Sequence, residues 1–388
     1  MIWRPSFSWL WHLERSGVVS RTIAVFIKEF LQLRRDRLTF ATMIFIPIIQ
    51  LTLFGFAINT MPRHLPTAVL AFENSDINRS ILAALRNTTY FEIVQVVHSE
   101  REMDELMRSG RVLFGVEIPT GFERGVRRGD RPALLVAADA SDPVAAGTAL
   151  AALEGIVATA LARDRGLPQA TQSVAPFEIV QHRRYNPAGV TSLNIVPGLL
   201  GVILTMTMLV FTALSVTREI ERGTMESLLA MPIEPVEIMM GKIMPYIVIG
   251  FVQAALILVF GAVVFEVPIA GSTTLLAGLS ILFIATNLSI GYTFSTIAQN
   301  QLQAIQMSFM FFLPNILLSG FMFPFAGMPT WAQAIGECLP LTHYMRITRG
   351  IMLKASDVYD LRYEAAALLA LMLVAMTIAV RRFRRTLD

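Results

Sequence analysis

VPIAGSTTLLAGLSILFIATNLSIGYTFSTIAQNQLQAIQMSFMFFLPNILLSGFMFPFAGMPTWAQAIG, Val267 to Gly336, runs for 70 residues without Asp, Glu, Lys, Arg or His. A bilayer crossing needs about 20 apolar residues, so this stretch holds two with some left over. The rest of the chain agrees: of 388 residues 54% are hydrophobic and only 16% charged, and the mean hydropathy is +0.57, whereas soluble domains carry about 25% charged residues. Lipid is the expected solvent.

Working outward from that stretch, six segments are long and apolar enough, or nearly so, to cross: about 39–60, 193–217, 243–265, 274–297, 301–323 and 365–380. Arg21, Lys28, Arg34, Arg35 and Arg37 precede the first, and Arg381, Arg382, Arg384 and Arg385 follow the last. The positive-inside rule therefore puts both termini in the cytoplasm and requires an even number of spans. The 14 Lys and Arg of residues 61–192 do not oppose this, because long translocated domains escape the rule. Within that segment Ala68–Phe72, Phe91–Val97, Leu113–Ile118 and Leu134–Ala138 read as strands, and Ile77–Arg86, Glu100–Ser109 and Pro143–Arg163 as helices. This alternation implies a small α/β domain with its own core.

The expected fold is an α-helical integral membrane protein: six transmembrane helices with an extracytoplasmic α/β domain inserted between spans one and two. Residues 1–38 form a cytoplasmic N-terminus, 39–60 the first span, 61–192 the outer domain, and 193–388 spans two to six. The last region includes a cytoplasmic loop, 218–242, and, at about 324–352, a re-entrant outer segment broken by Pro324, Pro329 and Pro340. Ahead of span one, Ile23, Phe26, Ile27, Phe30 and Leu31 share a helical face while Lys28, Gln32 and Arg35 occupy another. With Arg34, this makes an amphipathic helix suited to lie on membrane lipid at the inner leaflet.

The loop between spans two and three combines charge with apolar anchors. Span two continues as a charged helix, Arg218, Glu219, Glu221, Arg222 and Glu226 beside Leu228 and Leu229, until Pro232 stops it. Glu234 then caps a second helix with Pro235 at its first position and Glu237 at its third. A charged corner of this kind is commonly just solvated; it also suits docking on a soluble partner.

The run resembles the signature of bacterial ABC type-2 transporter permeases, in which G-T-M-E-x-L-L, P-I-x-P-x-E and G-K follow one another. Here these are Gly223–Leu229 (with Thr224), Pro232–Glu237 and Gly241-Lys242. Further matches are Arg184-Tyr-Asn-Pro187, Leu318-Ser-Gly-Phe-Met-Phe-Pro324, Leu339-Pro-Leu-Thr-His-Tyr344, Asn74-Ser-Asp76, Gly121-Phe-Glu123 and Leu153-Glu-Gly155. The resemblance spans nearly the whole chain. It implies the permease subunit of an ATP-driven exporter in the bacterial inner membrane, paired with an identical or related permease chain. It also implies cytoplasmic ABC ATPase subunits, carrying ATP and magnesium, that dock on the 218–242 loop beside the interfacial helix. A periplasmic adaptor is a partner the sequence neither requires nor excludes.

No cofactor or metal is expected on this chain. Of its three lysines only Lys242 follows a glycine, and Ile243 stands where a phosphate-binding loop needs Ser or Thr. H-E-x-x-H and G-x-S-x-G are absent and the five histidines are scattered, which argues against a membrane enzyme. The net charge of +3 is not gathered into a nucleic-acid patch. An ion-coupled secondary transporter or channel is the alternative, but the expected spans hold only neutral polar groups, with Glu364 at the edge of the last. Met206 and Phe211 on span two, and Phe309, Phe312 and Asn315 on span five, are candidates for a path taken by an amphiphilic or hydrophobic cargo.

Overall fold

The structure, a computed structural model, describes residues 63–73, 75–161, 176–221 and 235–385. These contain five strands and eleven α-helices in two layouts. The first is a mixed sheet with strands β1 (Leu65–Ala71), β2 (Phe91–Val97), β3 (Phe114–Ile118), β4 (Ala133–Asp139) and β5 (Glu178–Arg184). Helices α1 (Asp76–Asn87), α2 (Glu100–Arg108), α3 (Phe122–Arg128) and α4 (Pro143–Thr159) connect them. The strand order is β2-β1-β3-β4-β5, with only the β3/β4 pair antiparallel.

The sheet is packed on both faces, and the period-2 alternation of β1 shows how. Leu65 and Val69 join Phe91, Phe114, Val116 and Val136 under α1, α3 and α4, which contribute Ile77, Ile81, Phe122, Leu150 and Leu153. Ala68 and Leu70 face the other way, onto Met103, Leu106 and Met107 of α2. Burial on both faces explains why β1 reads as a continuous apolar run rather than an alternating one. Ser75 and Ser99 cap α1 and α2 through the backbone N–H groups of Asn78 and Glu102.

The second layout is helical: α5 (Thr191–Glu221), α6 (Pro235–Val264), α7 (Thr273–Ile297), α8 (Gln301–Leu318), α9 (Thr330–Gly336), α10 (Pro340–Lys354) and α11 (Arg362–Arg385). Five of these, α5, α6, α7, α8 and α11, contain segments long and apolar enough to cross a membrane. The segment expected as the first span, 39–60, lies outside the described residues.

Helix α7 is the hub, packing on α5, α6, α10 and α11. Gly291 permits one of these approaches, because a Cβ there would sit 2.8 Å from the carbonyl oxygen of Leu209 on α5. Thr286 and Thr293 donate to the carbonyls of Leu368 and Ala375 on α11 at 3.3 and 3.1 Å. Phe283 stacks on Tyr344 with ring centroids 3.9 Å apart, and the Tyr344 hydroxyl meets Ser280 at 2.7 Å. By contrast, α6 exposes Val248, Val252, Leu256, Val259 and Val263, and α11 exposes Leu369, Leu373 and Ile378. Exposed apolar rows on helices with satisfied backbones are what a lipid environment demands.

The structure revises two helix boundaries. The fifth expected span stops at Leu318 instead of 323, because Gly320 takes φ +84° and the following Phe321–Phe323 turns out of the helix. The last helix is longer than 365–380, since its charged ends at Arg362 and Arg385 continue the same helix past the apolar window.

Candidate functional site

Two regions carry chemistry beyond packing. The first is the end of α5. This helix passes without a break from its apolar segment, Thr191–Ser215, to Arg218 and Glu221. Both side chains are exposed. Glu221 Oε1 accepts the backbone N–H of Gln301 at 2.7 Å, and Oε2 accepts the Gln301 side-chain amide. These two hydrogen bonds hold the Glu221 carboxyl below the usual carboxylate range. Glu219 lies on the same last turn, and Glu237 and Lys242 lie in the first turns of α6, which starts at Pro235. Arg222, Gly223, Thr224, Glu226, Leu228, Leu229 and Pro232 are outside the described residues, as are Phe26, Lys28, Phe30, Arg34 and Arg35 of the expected interfacial helix.

The candidate path residues separate by exposure. Phe211 on α5 and Phe309 on α8 are exposed, at 45% and 41%. Met206 and Phe312 are half-buried, and Phe312 packs against the helical core. Asn315 is fully buried: its Oδ1 accepts the backbone N–H of Leu341 at 3.3 Å and its Nδ2 donates to the Phe311 carbonyl at 3.2 Å. In this chain Asn315 ties α8 to the start of α10.

The second region is a cavity of about 990 Å³ between the sheet domain and the helices. Its walls come from the end of α2, the β4–α4 loop, the chain after α8, and the charged face of α10 with the start of α11. Lys354 pairs with Asp139, the side chains being 9% and 1% exposed. Arg349 donates to Asn194 Oδ1 at 2.5 Å and to the Gly320 carbonyl at 3.2 Å, and stands 3.9 Å from Asp142. Arg108 faces Asp360 at 3.2 Å. Beside Glu364 of the wall, His343 Nδ1 meets that carboxylate at 2.5 Å and its Nε2 meets the Glu337 carbonyl at 2.9 Å. Arg346 bridges Glu337 and Glu364. Tyr185, where β5 leaves the sheet, has its phenol pushed up to about 12 by burial and by nearby Asp139, so it stays neutral here.

None of these cavity residues was singled out as functional from the sequence. The signal lay in α10, where His343, Arg346 and Arg349 recur every three residues inside the otherwise uncharged Leu341–Met352. A charged stripe on such a helix must find partners. Those partners, Asp142, Glu337 and Glu364, are distant in sequence or at an element's edge. Among the described residues no group of His, Cys, Asp or Glu is placed to hold a metal.

Comparison with known proteins gives one consistent picture. The probable multidrug ABC transporter permease YbhS of Escherichia coli (strain K12) is 29% identical over 374 residues, 95% of this chain and 98% of that protein. The inner membrane transport permease YhhJ of the same organism is 31% identical over 335 residues, 83% of this chain and 86% of that protein. ABC transporter G family member 20 of Dictyostelium discoideum is 23% identical over 87% of this chain but only 47% of its own length. The family described as ABC-2 family transporter protein matches residues 37–381. Nearly the whole chain, from the expected first span into α11, is thus accounted for by one family, and this multi-pass membrane protein belongs to the ABC-2 transporters.

Proposed function

We propose that this chain is the membrane-spanning permease subunit of an ATP-driven exporter that moves amphiphilic or hydrophobic molecules out of the cytoplasm or inner membrane by alternating access. In this reading there are six spans with both termini cytoplasmic, the sheet domain faces the outside, and residues 324–352 dip into the outer leaflet. The chain pairs with an identical or related permease and docks cytoplasmic ATPases, which carry ATP and magnesium, on its 218–242 corner. A periplasmic adaptor is a further partner this arrangement accommodates.

The observation that carries the reading is the unbroken α5, which delivers Arg218 and Glu221 from an apolar segment directly to the family's charged corner. A rigid helix transmits a push at one end to the packed region at the other. The sequence contains no phosphate-binding loop, which supports hydrolysis on a partner ATPase. The word multidrug in the name of YbhS supports the substrate class. Exposed Phe211 and Phe309 supply apolar surface on neighbouring helices.

The test is co-expression with a candidate ABC ATPase, followed by co-purification and ATP-dependent efflux of ethidium from vesicles. Charge reversal at Glu219 and Glu226 should release the ATPase while leaving the permease folded. Retention of full coupling by that double variant would refute docking through these residues.

A second reading, transport coupled to protons, has one observation in its favour. Glu364, in the first turn of the apolar helix α11, is hydrogen-bonded to His343, and carboxylate–histidine pairs are a usual feature of proton paths.

A further inference from the structure

The family resemblance places Glu221 among the residues expected to contact the ATPase, yet its two carboxylate oxygens are each engaged by Gln301, the first residue of α8. A carboxylate at this place neutralises unsatisfied N–H groups and complements the positive end of the helix dipole. The contact joins a firm structure, since Asn300 Oδ1 accepts the Gln303 N–H at 2.8 Å and Gln303 Oε1 accepts the Gln299 N–H at 2.9 Å. The start of α8 is therefore tied both to itself and to the end of α5.

The far end of α8 is held as well. Asn315 accepts the Leu341 N–H that opens α10, and the Gly320 carbonyl just past the helix accepts from Arg349. That same guanidinium reaches Asn194 at the start of α5 and faces Asp142 of the sheet domain across the cavity. Between the two grips, α8 is 18 residues long, about 27 Å at 1.5 Å per residue, close to the ~30 Å thickness of a bilayer's hydrocarbon core. Along its length it packs on α5, and Phe311 meets Phe294 of α7 edge-on at 5.6 Å.

We infer that α8 is the element that carries movement of the 218–242 corner to the outer cavity, and that Glu221 is the positioning residue that grips it. The inference rests on the exporter reading above, and assigns Glu221 to transmission within the chain instead of docking. A displacement of the α5 end pulls the start of α8 through two hydrogen bonds. A helix moving as a unit then shifts the start of α10 and the Arg349 junction.

The experiment uses the full permease with its co-purified ATPase and needs no substrate. Cys338 is the chain's single cysteine; it is exposed and lies between α9 and α10, at the far end of α8. Its labelling rate with a maleimide is followed by mass spectrometry of the Cys338 peptide, with and without Mg-ATP and vanadate. The wild type should show a several-fold change in rate on trapping.

Gln301→Glu sets two carboxylates against each other and should remove that change, with the ATPase still co-purifying and the melting temperature near wild type. The exchanged pair Glu221→Gln with Gln301→Glu restores an amide facing a carboxylate and should restore the change. If Gln301→Glu perturbs the fold, Gln301→Ala, which only deletes the side-chain amide, is read the same way and should reduce the change. An unaltered change in Gln301→Glu, an exchanged pair no better than Gln301→Glu alone, or no trapping-dependent change in wild type overturns the inference. None of these outcomes touches the exporter reading, which fails separately if no ATPase co-purifies or if efflux is independent of ATP.

Discussion

Asp139 and Lys354 lie 215 residues apart in sequence and form an ion pair that is almost completely buried, with side chains 1% and 9% exposed. Asp139 ends β4 and also accepts the Ser141 N–H at 3.0 Å, while Lys354 ends α10. With Arg349 facing Asp142, this pair fastens the β4–α4 loop of the sheet domain to the helices. Removing one member leaves the other charge buried and unpaired, which costs about 3–5 kcal/mol, whereas removing both costs much less. Asp139→Asn and Lys354→Met should each lower the melting temperature of the detergent-solubilised chain. The double variant should recover most of the loss. Additive losses would show that the two residues act independently.

Asn315 admits two roles that one variant separates. As a tie between α8 and α10 it satisfies the buried Leu341 N–H. Asn315→Ala should therefore destabilise the chain by about 1–3 kcal/mol, read as a lower melting temperature with an unchanged order of preference among efflux substrates. Asn315→Asp keeps the acceptor oxygen and should restore part of the stability. A path-lining role would instead show altered substrate preference at wild-type stability.

Two glycines of α7 make a matched pair. Gly291 lies where α5 and α7 meet, and an added Cβ would come 2.8 Å from the Leu209 oxygen and 3.1 Å from Thr212 Cβ. Gly291→Ala should lower stability by about 1–3 kcal/mol, the usual cost of overpacking. Gly278, one helix face away from such contacts, has nothing within 4 Å of its added Cβ. Gly278→Ala should be neutral or raise stability by up to about 1 kcal/mol, because alanine favours helix over glycine. Equal effects at the two sites would count against the close crossing of α5 and α7.

Much of this architecture was legible because burial writes a pattern. The continuous apolar run of β1 and the long apolar stretches of α6 and α7 were found from hydropathy alone, and the start of α6 at Pro235 from the preference of proline for a first helical position; the expected Glu234 cap lies outside the described residues. Elements without a buried face were not. β5, Glu178–Arg184, is an edge strand with five of its seven residues exposed, so its alternation is hidden. α3 has only seven residues, four of them charged, and shows too little periodicity to register. The antiparallel β3/β4 pairing is a tertiary choice with no local signature. The cavity failed to show for a different reason: the ion pairs that join the sheet domain to the helices connect residues more than 200 positions apart, and a charged residue in an apolar helix does not name its partner.

Glu364 decides between the two drives for transport. It is the one acidic side chain within the apolar segments of the five described membrane helices. Its carboxylate is held by His343 at 2.5 Å and by Arg346 at 3.2 Å. If transport were coupled to protons, this carboxylate would have to gain and release one in each cycle, and Glu364→Gln would abolish transport and its response to a pH gradient. In the ATP-driven reading the group is a fastening between α10 and α11, and Arg346 keeps Glu337 as a second partner when Glu364 is lost. Glu364→Gln should then reduce stability by about 1.5–3 kcal/mol, the worth of hydrogen bonds to a charged group. ATP-dependent ethidium efflux should persist and remain insensitive to a protonophore. Loss of all efflux from a folded Glu364→Gln variant that still binds its ATPase, together with protonophore-sensitive efflux in wild type, would transfer the drive from ATP to protons.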